Sequence, residues 1–407
     1  MHLKKPKVLL AHPGTQYSYQ LAKQLDELGF LHEFWTPFTI PKKGLLYKIL
    51  NLLPNAIAKK FFNRVIENIE PKKIKTMFGL EAKYSFKGRN GLTEKLIHQR
   101  NRDFQLAIPE KSLQEADIII GFDTSSFILA ERAKQNGKVF ILDQSIAHPK
   151  SKAKVFDQLN QLYPQFSQEL LPKQADLIKL EAKEHLFADY IITASSFTKK
   201  TLVENSVDER KIIINPYGVN ASQFKIIDRP QNKKIRFLFL GTLTIRKGIN
   251  VLLEIWEELA PETAELWIAG PADTKIIAAI PKLDSISYLG KIPHQQLQEV
   301  VGKCDVLIFP SFFEGFGLVV LEAMACGLPV ITTEATVGPD VIEDGVDGEL
   351  YHSFDRNTLK EKIISFIKSP EKAKKMGVKA HLKARQFSWE AYGNRWNTLI
   401  NTISYKN

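Results

Sequence analysis

The strongest constraint on the fold lies in the C-terminal half, where short β-branched apolar runs alternate with amphipathic segments. RFLFLG (236–241) is followed by INVLLEIWEELA (249–260), and ELWIAG (265–270) by a short helical stretch near 274–280. ISYLG (286–290) is followed by HQQLQEVVGK (294–303), and DVLIFPS (305–311) by LVVLEAMACG (318–327). PVITT (329–333), GELY (348–351) and the helical TLKEKIISFIK (358–368) complete the series. A continuous apolar run is a strand buried on both faces, and the segments between such runs must supply the helices that cover them. The pattern predicts an α/β fold built on a doubly wound parallel sheet.

The N-terminal half repeats the pattern with longer interruptions. KVLLAH, ADIIIGF (116–122), KVFILD (138–143), DYIITAS (189–195) and KIIINPYG (211–218) read as strands. Ser18–Leu28, Phe127–Gln135 and Phe197–Glu204 read as helices, the first two stopped by Gly29 and Asn136-Gly137. A chain of 407 residues exceeds one ordinary core. We therefore expect two Rossmann-like domains, 1–215 and 216–388, with Ile226–Lys234 as the linker-like stretch. Residues 389–407 form a last helix, with Trp389, Tyr392, Trp396 and Leu399 on related faces, able to pack back on the first domain.

Composition narrows the partners. Residues 41–102 hold fifteen Lys/Arg against four Asp/Glu, which accounts for the whole +11 net charge. Within this block, 44–75 spaces Leu45, Ile49, Leu53, Ile57, Phe61, Val65 and Ile69 by fours. Pro54 splits the segment, so we expect two amphipathic helices flanked by lysines, either packed on the N-terminal domain or resting on an anionic membrane surface. The block matches no RNA-binding signature, and no nucleic-acid partner is expected. Cys304 and Cys326 belong to no metal or redox motif, and no two aspartates stand at i, i+2. The apolar run Val8–Ala11 is too short for a signal peptide, and no apolar span of about 18 residues occurs. The expected location is the cytoplasm, or the inner face of the cell membrane.

Ligands of open α/β sheets bind beyond the carboxyl ends of the strands, and four loops there are chemically loaded. In GTLTIRKG (241–248), Arg246 and Lys247 precede a helix N-terminus, which suits a diphosphate or a plain basic turn. In FEGFGLVVLEAMACGLPV (313–330), Glu314 lies at a strand mouth, and Gly315 and Gly317 permit close backbone approach. Glu322 is embedded in an apolar helix, where a carboxylate is costly unless something pairs with it. Gly14, in AHPGTQYSYQ, follows the first strand as a phosphate- or sugar-binding turn would, and equally as a plain tight turn would. His148, in LDQSIAHPK, lies beyond the third strand, in a position equally suited to structure or to binding.

With these residues in place, the chain resembles the retaining GT-B glycosyltransferases of family 4 (glycosyl transferases group 1). The resemblance is strongest over roughly 188–350, through ADYIITASSFTKKTLVE, INPYGVN, FLFLGTLTIRKGINVLLE, LGKIP, CDVLIFPSFFEGFGLVVLEAMACGLPVI and GVDGEL. It implies that Glu314 contacts hydroxyls of a donor sugar, and that backbone N–H groups of Gly315, Phe316, Gly317 and Leu318 hold sugar and phosphate. It further implies that Glu322 grips the ribose and that Gly290 to Ile292 lie beside the base. Lys247 matches the family's phosphate-binding lysine. The family's arginine is Thr242 here, with Arg246 nearby to carry that charge. Gly14 matches the N-terminal glycine loop, and His148 a histidine that touches sugar or acceptor. The implied activity is retaining hexosyl transfer from a nucleotide-diphosphate sugar, a co-substrate rather than a bound cofactor, to a glycan or lipid-linked acceptor without metal. A sugar phosphorylase or synthase, or a non-catalytic nucleotide-sugar-binding protein, are the alternatives.

Overall fold

A computed structural model describes residues 5–15, 17–42, 44–52, 64–87, 93–220 and 234–406. The linker-like stretch before Lys234 and most of the second amphipathic segment, including Ile57, Lys59, Lys60 and Phe61, lie outside them. Two parallel sheets organise the described chain. The first contains β1 (Val8–Ala11) and β2 (Leu31–Thr36), and a separate two-stranded pair is made by β3 (Ile40–Pro41) and β4 (Val65–Ile66). It continues with β5 (Ile74–Thr76), β6 (Ile118–Phe122), β7 (Val139–Gln144), β8 (Tyr190–Thr193) and β9 (Ile212–Ile214). The second contains β10 (Ile235–Leu240), β11 (Ala264–Ala269), β12 (Ile286–Gly290), β13 (Val306–Phe309), β14 (Val330–Thr333) and β15 (Glu349–Tyr351).

The strand orders are β5-β2-β1-β6-β7-β8-β9 and β12-β11-β10-β13-β14-β15. Each sheet grows outward from its first strand in one direction and then restarts on the other side. Each therefore has a switch point, between β1 and β6 and between β10 and β13, where adjacent loops diverge and leave a crevice. The strand interiors are fully buried, as the apolar runs require: β1, β6, β13 and β14 have no exposed residue.

One strand was not anticipated, and two expectations are revised. LHEFWT forms β2 beside β1 although His32 and Glu33 interrupt its apolar pattern. Val65 does not continue a helical stripe, because Val65–Ile66 pair in parallel with Ile40–Pro41, with Ile40 N–H donating to Arg64 O at 2.8 Å. Ile69, counted on the same stripe, is buried beyond that strand in the main core, so in this part of the block burial and strand pairing override the spacing by fours. The helix Leu45–Leu50 forms, and Ile74–Thr76 adds an edge strand beyond β2.

The C-terminal helix Trp389–Lys406 packs on the helix Ser18–Glu27. A side chain at Gly393 would overlap Gln24, and Tyr392 and Trp396 are fully buried. Arg395 Nη2 donates to Pro216 O at 2.7 Å, tying the same helix to the segment after β9.

Candidate active site

Because β10 and β13 are hydrogen-bonded neighbours, the loops that follow them face each other. The first bends into a short 3-10 turn, Ile245–Lys247, whose Lys247 N–H is capped by Thr244 Oγ1. The second crosses Ser311 to Gly317 before the helix Leu318–Ala325. Gly317, at φ +86°, turns the chain into that helix in a left-handed conformation that a side chain would strain.

Three charges converge there. Arg246 Nη1 donates to Glu314 Oε1 at 2.8 Å and also to the Phe313 carbonyl oxygen. Lys247 Nζ is 3.6 Å from the same Glu314 oxygen and 5.4 Å from the centre of the Phe309 ring. Ser311 Oγ adds a hydrogen bond to Glu314 Oε1 at 3.3 Å. Arg246 and Glu314 are 68 positions apart in the chain, and only the strand order brings them together.

The N-terminal half closes over this loop. Ser195 Oγ and Thr198 Oγ1 donate to Gly315 O at 2.7 and 3.0 Å. Phe313 packs edge-on against Phe197, and Phe316 against Tyr217. At Gly315 the backbone touches Ser145 so closely that a Cβ would overlap its carbonyl oxygen. Ser145 is itself held by Asp123, whose Oδ1 accepts from its N–H at 2.9 Å and its Oγ at 2.6 Å. Burial pushes the Asp123 carboxyl above its ordinary range.

The resulting cavity, about 300 Å³, is lined by Glu314 to Gly317, Arg246, Phe313, Tyr17, Ser145, Ile146 and Lys152. Sequence reasoning missed the last four. Tyr17 stands three residues after Gly14, and its ring lies 3.9 Å from that of Tyr217. Burial, then the charges of Glu322 and Glu314, push its hydroxyl up to about 12, so it stays a proton donor at neutral pH. Lys152 is one helical turn beyond His148, and burial together with Arg246 lowers its pKa.

Other expected residues fall elsewhere. His148 is buried as the N-cap of the helix Pro149–Leu162, its Nδ1 accepting from Lys150 N–H, and it does not line this cavity. Burial, then Lys150, depresses its pKa to about 4. Gly14 N–H donates to His12 Nδ1 at 3.0 Å in the β1 turn. Gly290 ends β12, with Ile292 just beyond, at the far edge of the second sheet. Glu322 lies within the helix that Gly317 opens, half-buried and within electrostatic reach of Tyr17. Among the described residues no cluster of three or more His, Cys, Asp or Glu is arranged to hold a metal, and no helix is long and apolar enough to cross a membrane.

Residues 221–383 match the family model described as glycosyl transferases group 1. This segment is similar to the group 1 glycosyl transferases. It holds Arg246, Lys247, Glu314 and Glu322, together with the loops that present them. The chain is 32% identical over 205 residues to a protein of Methanocaldococcus jannaschii described as an uncharacterized glycosyltransferase, covering 50% of this chain and 56% of that protein. It is 30% identical over 207 residues to a D-inositol 3-phosphate glycosyltransferase of Segniliparus rotundus, covering 46% of each. It is also 30% identical over 162 residues to O-antigen chain mannosyltransferase B of Escherichia coli, covering 38% of this chain and 42% of that one. The chain thus spans about half the length of the curated relatives it matches. Solved structures extend the likeness in fold to both halves. Sucrose-phosphate synthase of Thermosynechococcus elongatus superposes with a TM-score of 0.69 at 18% identity, over 99% of this chain and 100% of that one. HepE of Anabaena, in complex with UDP and glucose, superposes with a TM-score of 0.63 at 13% identity, over 98% and 100%. The architecture is GT-B.

Proposed function

We propose that this protein transfers a sugar, with retention of anomeric configuration, from a nucleotide-diphosphate sugar to a glycan or lipid-linked acceptor, without a metal ion. The observation that carries the reading is the cluster of Arg246, Lys247 and Glu314 at the switch point of the second sheet. Residues 216–388 would hold the donor and residues 1–215 the acceptor. Donor binding exchanges partners: Glu314 turns to sugar hydroxyls, and Arg246 and Lys247 to the diphosphate. Backbone N–H groups of residues 315–318 add to the phosphate site, Glu322 takes the ribose, and Ile292 lies beside the base. As the bond between the anomeric carbon and the phosphate oxygen breaks, its electron pair leaves with the nucleoside diphosphate. The two cations stabilise that charge where a metal would otherwise be needed. The acceptor oxygen forms the new bond on the face the leaving group vacates, and its proton passes to a phosphate oxygen of that group. His148, a buried cap, would act by fixing the helix that carries Lys152. Relatives named for transfer to inositol 3-phosphate and in O-antigen chains support a polyhydroxyl acceptor, and neighbours solved with UDP support the donor class.

Melting shifts with UDP-, GDP- and ADP-sugars would identify the donor, since a specific ligand raises the melting temperature. Lys247→Ala and Glu314→Gln should each lower turnover about 100- to 1,000-fold, and EDTA should leave turnover unchanged. Full activity in either variant would refute the assignment.

We place the enzyme in the cytoplasm, peripheral to an anionic membrane surface through the exposed part of 44–75, since Val65–Ile66 and Ile74–Thr76 are paired strands and Ile69 is buried in the core. Ile49 and Leu52 are 47% and 84% exposed beside Lys48, which supports this placement. Vesicles containing phosphatidylglycerol should sediment the protein at low salt and release it at high salt. Sedimentation that ignores salt, or none, would remove the membrane from the account.

A further inference from the structure

Lys152 reaches the active-site cavity from the first half with its charge unanswered. Its side chain lines the cavity beside Arg246 and Glu314. Among the described residues its ammonium has no ion-pair partner and no hydrogen-bond acceptor. Burial, then the cations Arg246 and Lys173, act on it more strongly than the carboxylates Glu94 and Glu314, which reach it only through space. Glu314 is already taken by Arg246 and Lys247. A half-buried ammonium set near another cation is costly unless an anion joins it.

The fold nevertheless fastens this residue in place. Pro149 opens its helix and His148 caps it, while the His148 N–H donates to Thr201 Oγ1 at 3.0 Å. Asn205 Nδ2 donates to Ser151 Oγ at 2.8 Å, so the first turn is tied to the helix Ser196–Glu204 and its C-cap. Phe156, four residues on, sets its ring centre 4.9 Å from the Lys152 ammonium, a contact that orients the charge without neutralising it.

Charge counting at the cavity gives the role. A nucleotide-diphosphate sugar carries one negative charge on each phosphate, and Arg246 and Lys247 match these. When the bond to the anomeric carbon breaks, its electron pair adds a further charge to the terminal phosphate. Besides Arg246, Lys152 is the cation that lines this cavity among the described residues. We propose that Lys152 is a third catalytic cation, supplied by the first half, that hydrogen-bonds the terminal phosphate of the nucleoside diphosphate as it leaves. The proposal rests on the transferase reading. Nothing passes to or from Lys152: the electron pair goes to the phosphate oxygen, the acceptor oxygen bonds the anomeric carbon, and the ammonium keeps its protons. The leaving group is thereby gripped from both halves at once.

The test compares the unmodified full chain with three variants. Lys152→Met keeps the stem over Phe156, Lys152→Arg keeps the charge, and Lys154→Met is a control at an exposed position. Calorimetry reads binding of UDP, GDP, ADP and inorganic pyrophosphate, and steady-state kinetics reads release of the diphosphate from UDP-, GDP- and ADP-glucose. In Lys152→Met, kcat should fall about 100-fold while KM changes by less than about threefold, the mark of an interaction made as charge develops. The nucleoside diphosphate that binds, and pyrophosphate, should each bind about tenfold more weakly. Lys152→Arg should recover most of both losses, and Lys154→Met should match the unmodified protein. Unchanged kcat in Lys152→Met, with or without a raised KM, would overturn the proposal, as would an equal loss in Lys152→Arg or Lys154→Met. If the unmodified protein binds no nucleotide and no nucleotide sugar, the transferase reading fails and pyrophosphate alone decides. No pyrophosphate binding, or equal affinity in Lys152→Met, would then remove Lys152 as an anion ligand.

Discussion

Gly315→Ala tests whether the contact between the two halves is the one that catalysis uses. The Cβ it introduces would overlap the Ser145 carbonyl oxygen and stand 3.1 Å from its carbon and 3.2 Å from Ile146 Cα. Ordinary van der Waals contact begins near 3.4 Å, and all three atoms are backbone, so no side chain can rotate away. The loop and the opposite half must part by about 1 Å or more. That movement stretches the bonds from Ser195 and Thr198 to Gly315 O, worth about 1 kcal/mol each. It also carries Glu314, the next residue, away from Arg246 and Lys247. The two sheets keep their own cores, so the melting temperature should fall by only a few degrees, as about 1–3 kcal/mol implies. A displacement of about 1 Å at a reacting centre costs about 100-fold in rate, so kcat/KM should fall on that scale. Gly79→Ala serves as the control. Nothing lies within 4 Å of its added methyl, and in the helix Phe78–Lys87 it should stabilise by up to about 1 kcal/mol with full activity. Steady-state kinetics and thermal melts on the three proteins decide the matter. Gly315→Ala with wild-type kcat/KM would show that the working enzyme does not use this contact.

Two further outcomes are expected. Burial raises the carboxyls of Asp143 and Glu184 to about 8, whereas burial lowers His12, His148 and His185 to about 4, 4 and 3. The raised acids contribute stability at low pH that is lost as pH rises through 8. The depressed histidines contribute above pH 6.5 and lose it as pH falls. The melting temperature should therefore decline between about pH 6.5 and 8, and Asp143→Asn should flatten that decline; an unchanged slope would refute it. Trp396→Ala empties a fully buried site under the C-terminal helix and should cost about 3–5 kcal/mol in urea unfolding.

The alternation of buried strands and amphipathic helices was legible in the sequence because a parallel strand covered on both faces must be apolar throughout, as β6 and β13 are. Arg246, Lys247 and Glu314 were legible as candidates because chemistry in such sheets gathers at strand ends. Strand β2 was not, since His32 and Glu33 break its pattern, nor was β4, whose spacing also fitted a helix. What local spacing could not express is adjacency. The order β12-β11-β10-β13 sets Arg246 against Glu314 across 68 residues, and closure of the first half adds Tyr17, Ser145 and Lys152 to the same wall. Those contacts depend on strand order and on the docking of one half against the other, and the energy of both is spread over long-range packing that no short stretch of residues records.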